Sequence, residues 1–141
     1  MPDRSGRRTV LDNERSAGFL DRVTITIPAS PAYLRVVRLV AAGLASRISF
    51  TVDDIEDLKI AVDELSAYLI GSQGRDGVLE VSFTLYDDRI EIAGAGVYES
   101  EYRIRTELTD FSRMILDTVA DEAVLDQQDG IPAFSVVKGK R

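Results

Sequence analysis

Asp57-Leu58-Lys59-Ile60-Ala61-Val62-Asp63-Glu64-Leu65 sits inside the longest helical period of the chain. Ile55, Leu58, Val62, Leu65 and Leu69 recur at three- and four-residue steps, which places them on one face of a helix. Thr51-Val52-Asp53-Asp54 opens that helix: a hydroxyl cap followed by two acids in the first turn, where the helix dipole favours negative charge. Asp63 and Glu64 are adjacent, so their carboxyls point about 100° apart and are poorly placed for paired-carboxylate hydrolysis.

Upstream, Val23, Ile25 and Ile27 alternate with Arg22, Thr24 and Thr26, the pattern of a half-buried strand closed by Pro28. Ser30-Pro31 starts a first helix that carries Tyr33, Val37, Val40 and Leu44 and fades near Arg47. Downstream, 71–77 is rich in turn residues. Leu79, Val81, Phe83 and Leu85 then alternate, Asp87-Asp88 turns, and Ile90 and Ile92 return as a hairpin that Gly94 and Gly96 are expected to end. After a charged connection, Leu108, Phe111, Ile115 and Val119 mark a third helix. Val124 with Leu125 and Phe134 with Val136 suggest a last strand pair around Asp129-Gly130. The order strand, helix, helix, strand, strand, helix, strand, strand predicts an α+β two-layer sandwich, with a mixed, mostly antiparallel sheet and helices on one face. Residues 1–18 read as a flexible N-terminal arm, 19–138 as a single domain and 139–141 as a tail.

Composition narrows the chemistry. The 141 residues carry a net charge of -7 and contain no Cys and no His, which removes thiol and imidazole catalysis, disulfides and His-based metal sites. The acidic balance argues against nucleic-acid binding. Two basic clusters, Arg4/Arg7/Arg8 and Lys138/Lys140/Arg141, read as solvated tails. No apolar run approaches the roughly 20 residues needed to span a bilayer, and no signal-peptide stretch opens the chain, so the expected location is cytoplasmic with no membrane partner.

The 57–65 segment resembles the second-helix segment of the histidine-kinase-like (GHKL) ATPases, and within them the RsbW/SpoIIAB-type anti-sigma factors. Tyr33-Leu34-Arg35-Val36 looks like that family's first helix, and Ala120-Asp121-Glu122 through Phe134 to Lys138 like its closing segment. The resemblance implies the GHKL (Bergerat-like) fold, ATP with magnesium as cofactors, and a homodimer. The implied partners are a sigma factor and an anti-anti-sigma factor in a partner-switching circuit of the stress-response kind. In such proteins a Glu activates the attacking hydroxyl, an Asn one turn on holds magnesium, an Asp-x-Gly-x-Gly segment reads adenine, and glycines meet phosphate at a helix start.

Here Glu64 matches the Glu, but Tyr68 stands at the Asn position. Gly96 fits the motif glycine, but Gly94 stands where the Asp belongs. Asp110 and Ser112, in Thr109-Asp110-Phe111-Ser112-Arg113, replace the phosphate glycines, and 97–108 looks short for a nucleotide lid. Arg35 matches an Arg that contacts both protein partners. The resemblance with these departures implies an anti-sigma factor that sequesters its sigma factor, with lost or weakened ATP binding and no cofactor needed. The alternative is an ATP-dependent protein serine kinase acting on the anti-anti-sigma factor, with Glu64 as general base. A third reading is a small sensory module with another ligand in the altered pocket. Glu64 otherwise reads as a solvated helix carboxylate, Arg35 as a solvated helix Arg, Tyr68 as pocket filling, Gly94 and Gly96 as backbone-driven, and Tyr98, Glu99, Glu101 and Tyr102 as either a contact surface or a solvated connection.

Overall fold

A computed structural model describes residues 20–140. The expected arm over 1–18, with Arg4, Arg7 and Arg8, lies outside the described residues, as does Arg141. Five strands and three α-helices follow in the expected order. They are β1 (Asp21–Pro28), α1 (Leu34–Arg47), α2 (Val52–Ile70), β2 (Gly77–Leu85), β3 (Arg89–Tyr98), α3 (Asp110–Val119), β4 (Glu122–Gln128) and β5 (Ile131–Gly139).

The strands form one sheet in the order β1-β2-β3-β5-β4. Every pairing is antiparallel, so the mixed sheet anticipated from sequence is in fact uniform. Hairpins join β2 to β3 and β4 to β5. The second turns through Asp129 (φ 55) and Gly130 (φ 79), the left-handed pair that a tight two-residue hairpin loop requires.

Strand alternation splits the sheet into two chemistries. Leu79, Val81, Phe83, Ile90, Ile92, Leu125, Phe134 and Val136 are buried under the helices. Register aligns Thr24, Ser82, Ala93, Ser135 and Val124 across all five strands on the other face, which no described element covers. Of the long helical stripe, Leu58, Val62, Leu65 and Leu69 are fully buried and Ile55 packs against the core. The Thr51 side chain accepts the Asp54 amide at 3.1 Å, the expected cap. Ser30 makes no such bond: the chain enters α1 through one 3-10 turn over Pro31–Tyr33.

Three further sequence expectations change. Gly94 and Gly96 lie inside β3, paired with Val81 and Leu79, instead of ending the strand. The reason is space: a Cβ on Gly94 would sit 2.4 Å from the Phe134 ring, and one on Gly96 2.1 Å from the Tyr98 hydroxyl. In α3 the inward face is Ser112, Leu116 and Val119, while Phe111 is 66% exposed. Lys138 is no tail residue. It is fully buried on the helix side of β5, with its Nζ 3.5 Å from an Asp57 oxygen and 3.9 Å from an Asp54 oxygen.

Candidate functional site

The helix α2 is the axis of the site because its two flanks meet different neighbours. One flank presents Asp63, whose two oxygens accept Arg38 of α1 at 2.9 and 3.0 Å. The next residue, Glu64, lies about 100° round the helix and meets α3. The two carboxylates are therefore pulled apart, each occupied by its own neighbour.

Glu64, Tyr68 and Ser112, three positions singled out in the sequence, form one hydrogen-bonded group. The Ser112 hydroxyl donates to Glu64 Oε2 at 2.6 Å. The Tyr68 hydroxyl donates to Ser112 Oγ at 2.8 Å and accepts the Thr109 amide at 3.1 Å. The Thr109 hydroxyl donates to Ser112 Oγ at 3.0 Å and accepts the Ser112 amide at 3.0 Å. Each hydroxyl proton has an acceptor, and the chain ends on a carboxylate, the strongest acceptor of the set. Thr109 is the N-cap of α3. Two of the backbone donors that a helix start offers to an anion are therefore satisfied within the protein. Asp110, in the first turn of α3, is exposed and adds negative charge there.

Burial of the Tyr68 ring pushes its phenol up. The hydrogen-bonding groups of Ser112 and Thr109, with the Arg105 charge, outweigh that and hold it below the ordinary tyrosine value.

A second cluster closes the same end of α2. Tyr98 lies against Gly96 and donates its hydroxyl to the Leu69 carbonyl at 2.5 Å, near the C-terminus of the helix. Its ring meets Tyr102 edge-on at 5.4 Å, and the Arg75 guanidinium lies over both rings. Burial pushes the Tyr98 phenol above its ordinary value, against the opposing Arg75 charge. The Tyr102 hydroxyl accepts the Asp76 amide at 3.0 Å, and the Ser100 hydroxyl donates to the Asp76 carboxylate. The Ser100 and Tyr102 hydroxyls keep the Asp76 carboxyl below its usual range. Tyr98 and Tyr102 are thus tied into the fold. Beside them, a cleft of about 390 Å³ opens between the end of β3, the following loop and the β4–β5 hairpin, with Gly96, Tyr102, Ile104 and Pro132 among its walls.

Gly94 does not join this site; it lies beneath Phe134. Arg35 is exposed on α1, which packs on the flank of α2 opposite to α3. Thr109 received no role from sequence, although its position three residues before Ser112 is a capping pattern that signals a helix start. No group of three or more potential metal-ligating side chains occurs among the described residues. No described helix is long and apolar enough to cross a membrane.

No protein-family model matches the chain. Serine-protein kinase RsbW of Bacillus pumilus is 41% identical over 78 residues, which cover 52% of this chain and 48% of that protein. The RsbW of Halalkalibacterium halodurans is 41% identical over 73 residues, 51% of this chain and 45% of that protein. The chain therefore spans about half the length of the curated relatives it matches. Among solved structures, the RsbU and RsbW domains of Rv1364c from Mycobacterium tuberculosis share the fold. The TM-score is 0.61 at 17% identity, covering 85% of this chain and 32% of that one. Over half its length the chain is thus similar in sequence to the RsbW serine-protein kinases, and over most of its length it shares the fold seen in the structure that contains an RsbW domain.

Proposed function

We infer that the chain is an anti-sigma factor that binds and sequesters an RNA polymerase sigma factor without needing ATP, and that an anti-anti-sigma factor releases it. The observation that carries this reading is the hydroxyl group of Glu64, Ser112, Tyr68 and Thr109. Where the RsbW resemblance puts magnesium and phosphates, Tyr68 offers a bulky neutral phenol already bonded to Ser112 and Thr109. Two of the helix-start donors that would meet phosphate, the Thr109 and Ser112 amides, are used internally, and Asp110 opposes an incoming anion. At Gly96, Tyr98 fills the space beside the glycine. Gly94 brings no carboxylate for an adenine amino group. The residues present do not fit ATP with magnesium.

Binding then rests on surface anchors. Arg35 is exposed, as is Tyr33 (42%) two residues earlier, so a guanidinium fork and an aromatic ring are both available to a partner at this end of α1. The test has two arms. Affinity capture from the source cell with mass spectrometry should recover a sigma factor and its antagonist, and Arg35→Glu should weaken that capture while leaving the melting temperature unchanged. Thermal melting with millimolar Mg-ATP should show no shift, whereas a specific site at a hundredfold excess over its dissociation constant would add about 2.7 kcal/mol. Capture of no sigma factor or regulator of that circuit would remove the reading.

The second reading is a serine-protein kinase, the name its matched relatives carry. Glu64 favours it, because a carboxylate base is the one catalytic group retained. An ATP-dependent melting shift together with phosphate transfer to a partner serine would establish it.

A further inference from the structure

We propose that the segment between β3 and α3, residues 99–109, is a strap latched shut by the protein's own hydroxyl groups, so that its closed state needs no ligand. This goes beyond the binding function proposed above and does not depend on which partner the chain takes. The segment is fastened at both ends to the C-terminal end of α2 and the turn that follows it. At the first end, the Glu99 amide donates to the Asp76 carbonyl at 2.7 Å, the Ser100 amide to the Asp76 carboxylate at 3.2 Å, and Tyr102 accepts the Asp76 amide. Tyr98, just before the strap, is pinned to Leu69. At the other end, Thr109 is held through its amide by Tyr68 and through its hydroxyl by Ser112, which Glu64 anchors in turn. Between the fastenings, Ile104 is buried to 7% exposure while Arg103 and Arg105 on either side of it are exposed.

Fastenings of this kind act in two independent groups. The Asp76 group is exposed, where water competes for every bond. The Tyr68 group is part-buried and connected, so its members support one another. The Tyr68 end is therefore the latch. Releasing it should free residues 104–109 and the first turn of α3 while leaving the Asp76 end in place.

Amide hydrogen exchange on the full chain without nucleotide tests this, with tryptic cleavage at Arg103 and Arg105 as a second readout. In the native chain, the Thr109, Ser112 and Arg113 amides should exchange far more slowly than in an unfolded peptide, and cleavage at the two arginines should be slow. Tyr68→Phe keeps the ring and removes the hydroxyl. It should speed Thr109 exchange about tenfold for each hydrogen bond lost, with Glu99 unchanged. Ser112→Ala should do the same through a different atom. Tyr102→Phe should speed only Asp76. Mg-ATP should change none of these rates. The latch is wrong if Thr109 and Ser112 exchange at unfolded-chain rates in the nucleotide-free protein, or if Mg-ATP slows them tenfold. It is also wrong if Tyr68→Phe leaves the rates unchanged. Free exchange without nucleotide would sink the latch alone; slowing by Mg-ATP would also overturn the ATP-independent function.

Discussion

Replacing Lys138 by Met removes one buried charge and little volume. The methylene stem of Lys138 is matched by the thioether chain, so packing changes little and the electrostatic loss stands nearly alone. Lys138 is fully buried, and its ammonium faces two carboxylates, at 3.5 Å from Asp57 and 3.9 Å from Asp54. At an effective dielectric near 20, each contact is worth about 4–5 kcal/mol before desolvation. Measured losses on breaking one side of a buried pair are about 3–5 kcal/mol, because the remaining charge is left in a poor solvent. The Asp54 side chain is 3% exposed and cannot rehydrate, whereas that of Asp57 is 32% exposed and partly can. The loss should therefore fall at the lower end, about 3 kcal/mol, against a total of about 5–15 kcal/mol for a domain. With a urea m-value of about 2 kcal/mol/M, the unfolding midpoint should fall by about 1.5 M at unchanged m. Adding Asp57→Asn to Lys138→Met should restore about 1 kcal/mol or more relative to the sum of the single changes. A midpoint within about 0.3 M of the parent, about 0.6 kcal/mol at that m-value, would refute the role of Lys138 as the counter-charge of α2's first turns.

Gly94→Ala puts a Cβ 2.4 Å from the Phe134 ring in the middle of the sheet, so it should cost about 1–3 kcal/mol of overpacking. The paired change Phe134→Leu should relieve part of that cost in a double-mutant cycle read by urea unfolding. Tyr98 has its folded-state pKa raised above the ordinary 10.0, so the folded chain holds that proton longer than the unfolded one. Its contribution is complete below pH 10 and is lost as pH rises from there through the folded value. Wild-type stability should accordingly fall more steeply above about pH 10 than that of Tyr98→Phe, and the 295 nm titration should lose its latest phase in the variant. Arg38→Ala breaks a two-oxygen contact between side chains 34% and 39% exposed, so it should cost only about 0.5–1 kcal/mol by thermal or urea melting.

The order of elements was legible because burial on one face imposes a period, and the period survives in the residues. Leu58, Val62, Leu65 and Leu69 say helix, and Leu79, Val81, Phe83 and Leu85 say strand, with no need of a partner to interpret them. What failed to show through depended on contacts between distant segments. Gly94 reads as a strand end because glycine weakens strands, and only Phe134, forty residues on, explains it inside one. Lys138, with Lys140 and Arg141 beside it, has the look of a solvated tail. The signal was present, since Phe134, Val136 and Lys138 alternate on the inward face, but a lone lysine is a poor core residue until Asp54 and Asp57 are known to face it. In α3, Phe111-Ile115-Val119 and Ser112-Leu116-Val119 are equally good stripes by spacing. Ser112 turns inward because Glu64, Tyr68 and Thr109 are there to meet it, and Phe111 turns outward in consequence.

That exchange of a serine for a phenylalanine links the fold to the proposed function. A buried polar group costs free energy unless its donors find acceptors, and the hydroxyls of the Glu64 group find theirs among one another and on the Glu64 carboxylate. A phosphate reaching the Ser112 and Thr109 amides would have to displace the Thr109 and Tyr68 hydroxyls from them, and it would bring negative charge toward Glu64 and Asp110. At those two amides existing hydrogen bonds would be exchanged for new ones against an added repulsion, the basis of the ATP-independent reading proposed above. The opposite flank of α2 bears none of these constraints. Arg38 and Asp63 fix α1 there, and Arg35 and Tyr33 face solvent beyond it. A partner that docks on α1 therefore need not disturb the α3 side, and its affinity can be set by α1 anchors while the strap stays shut.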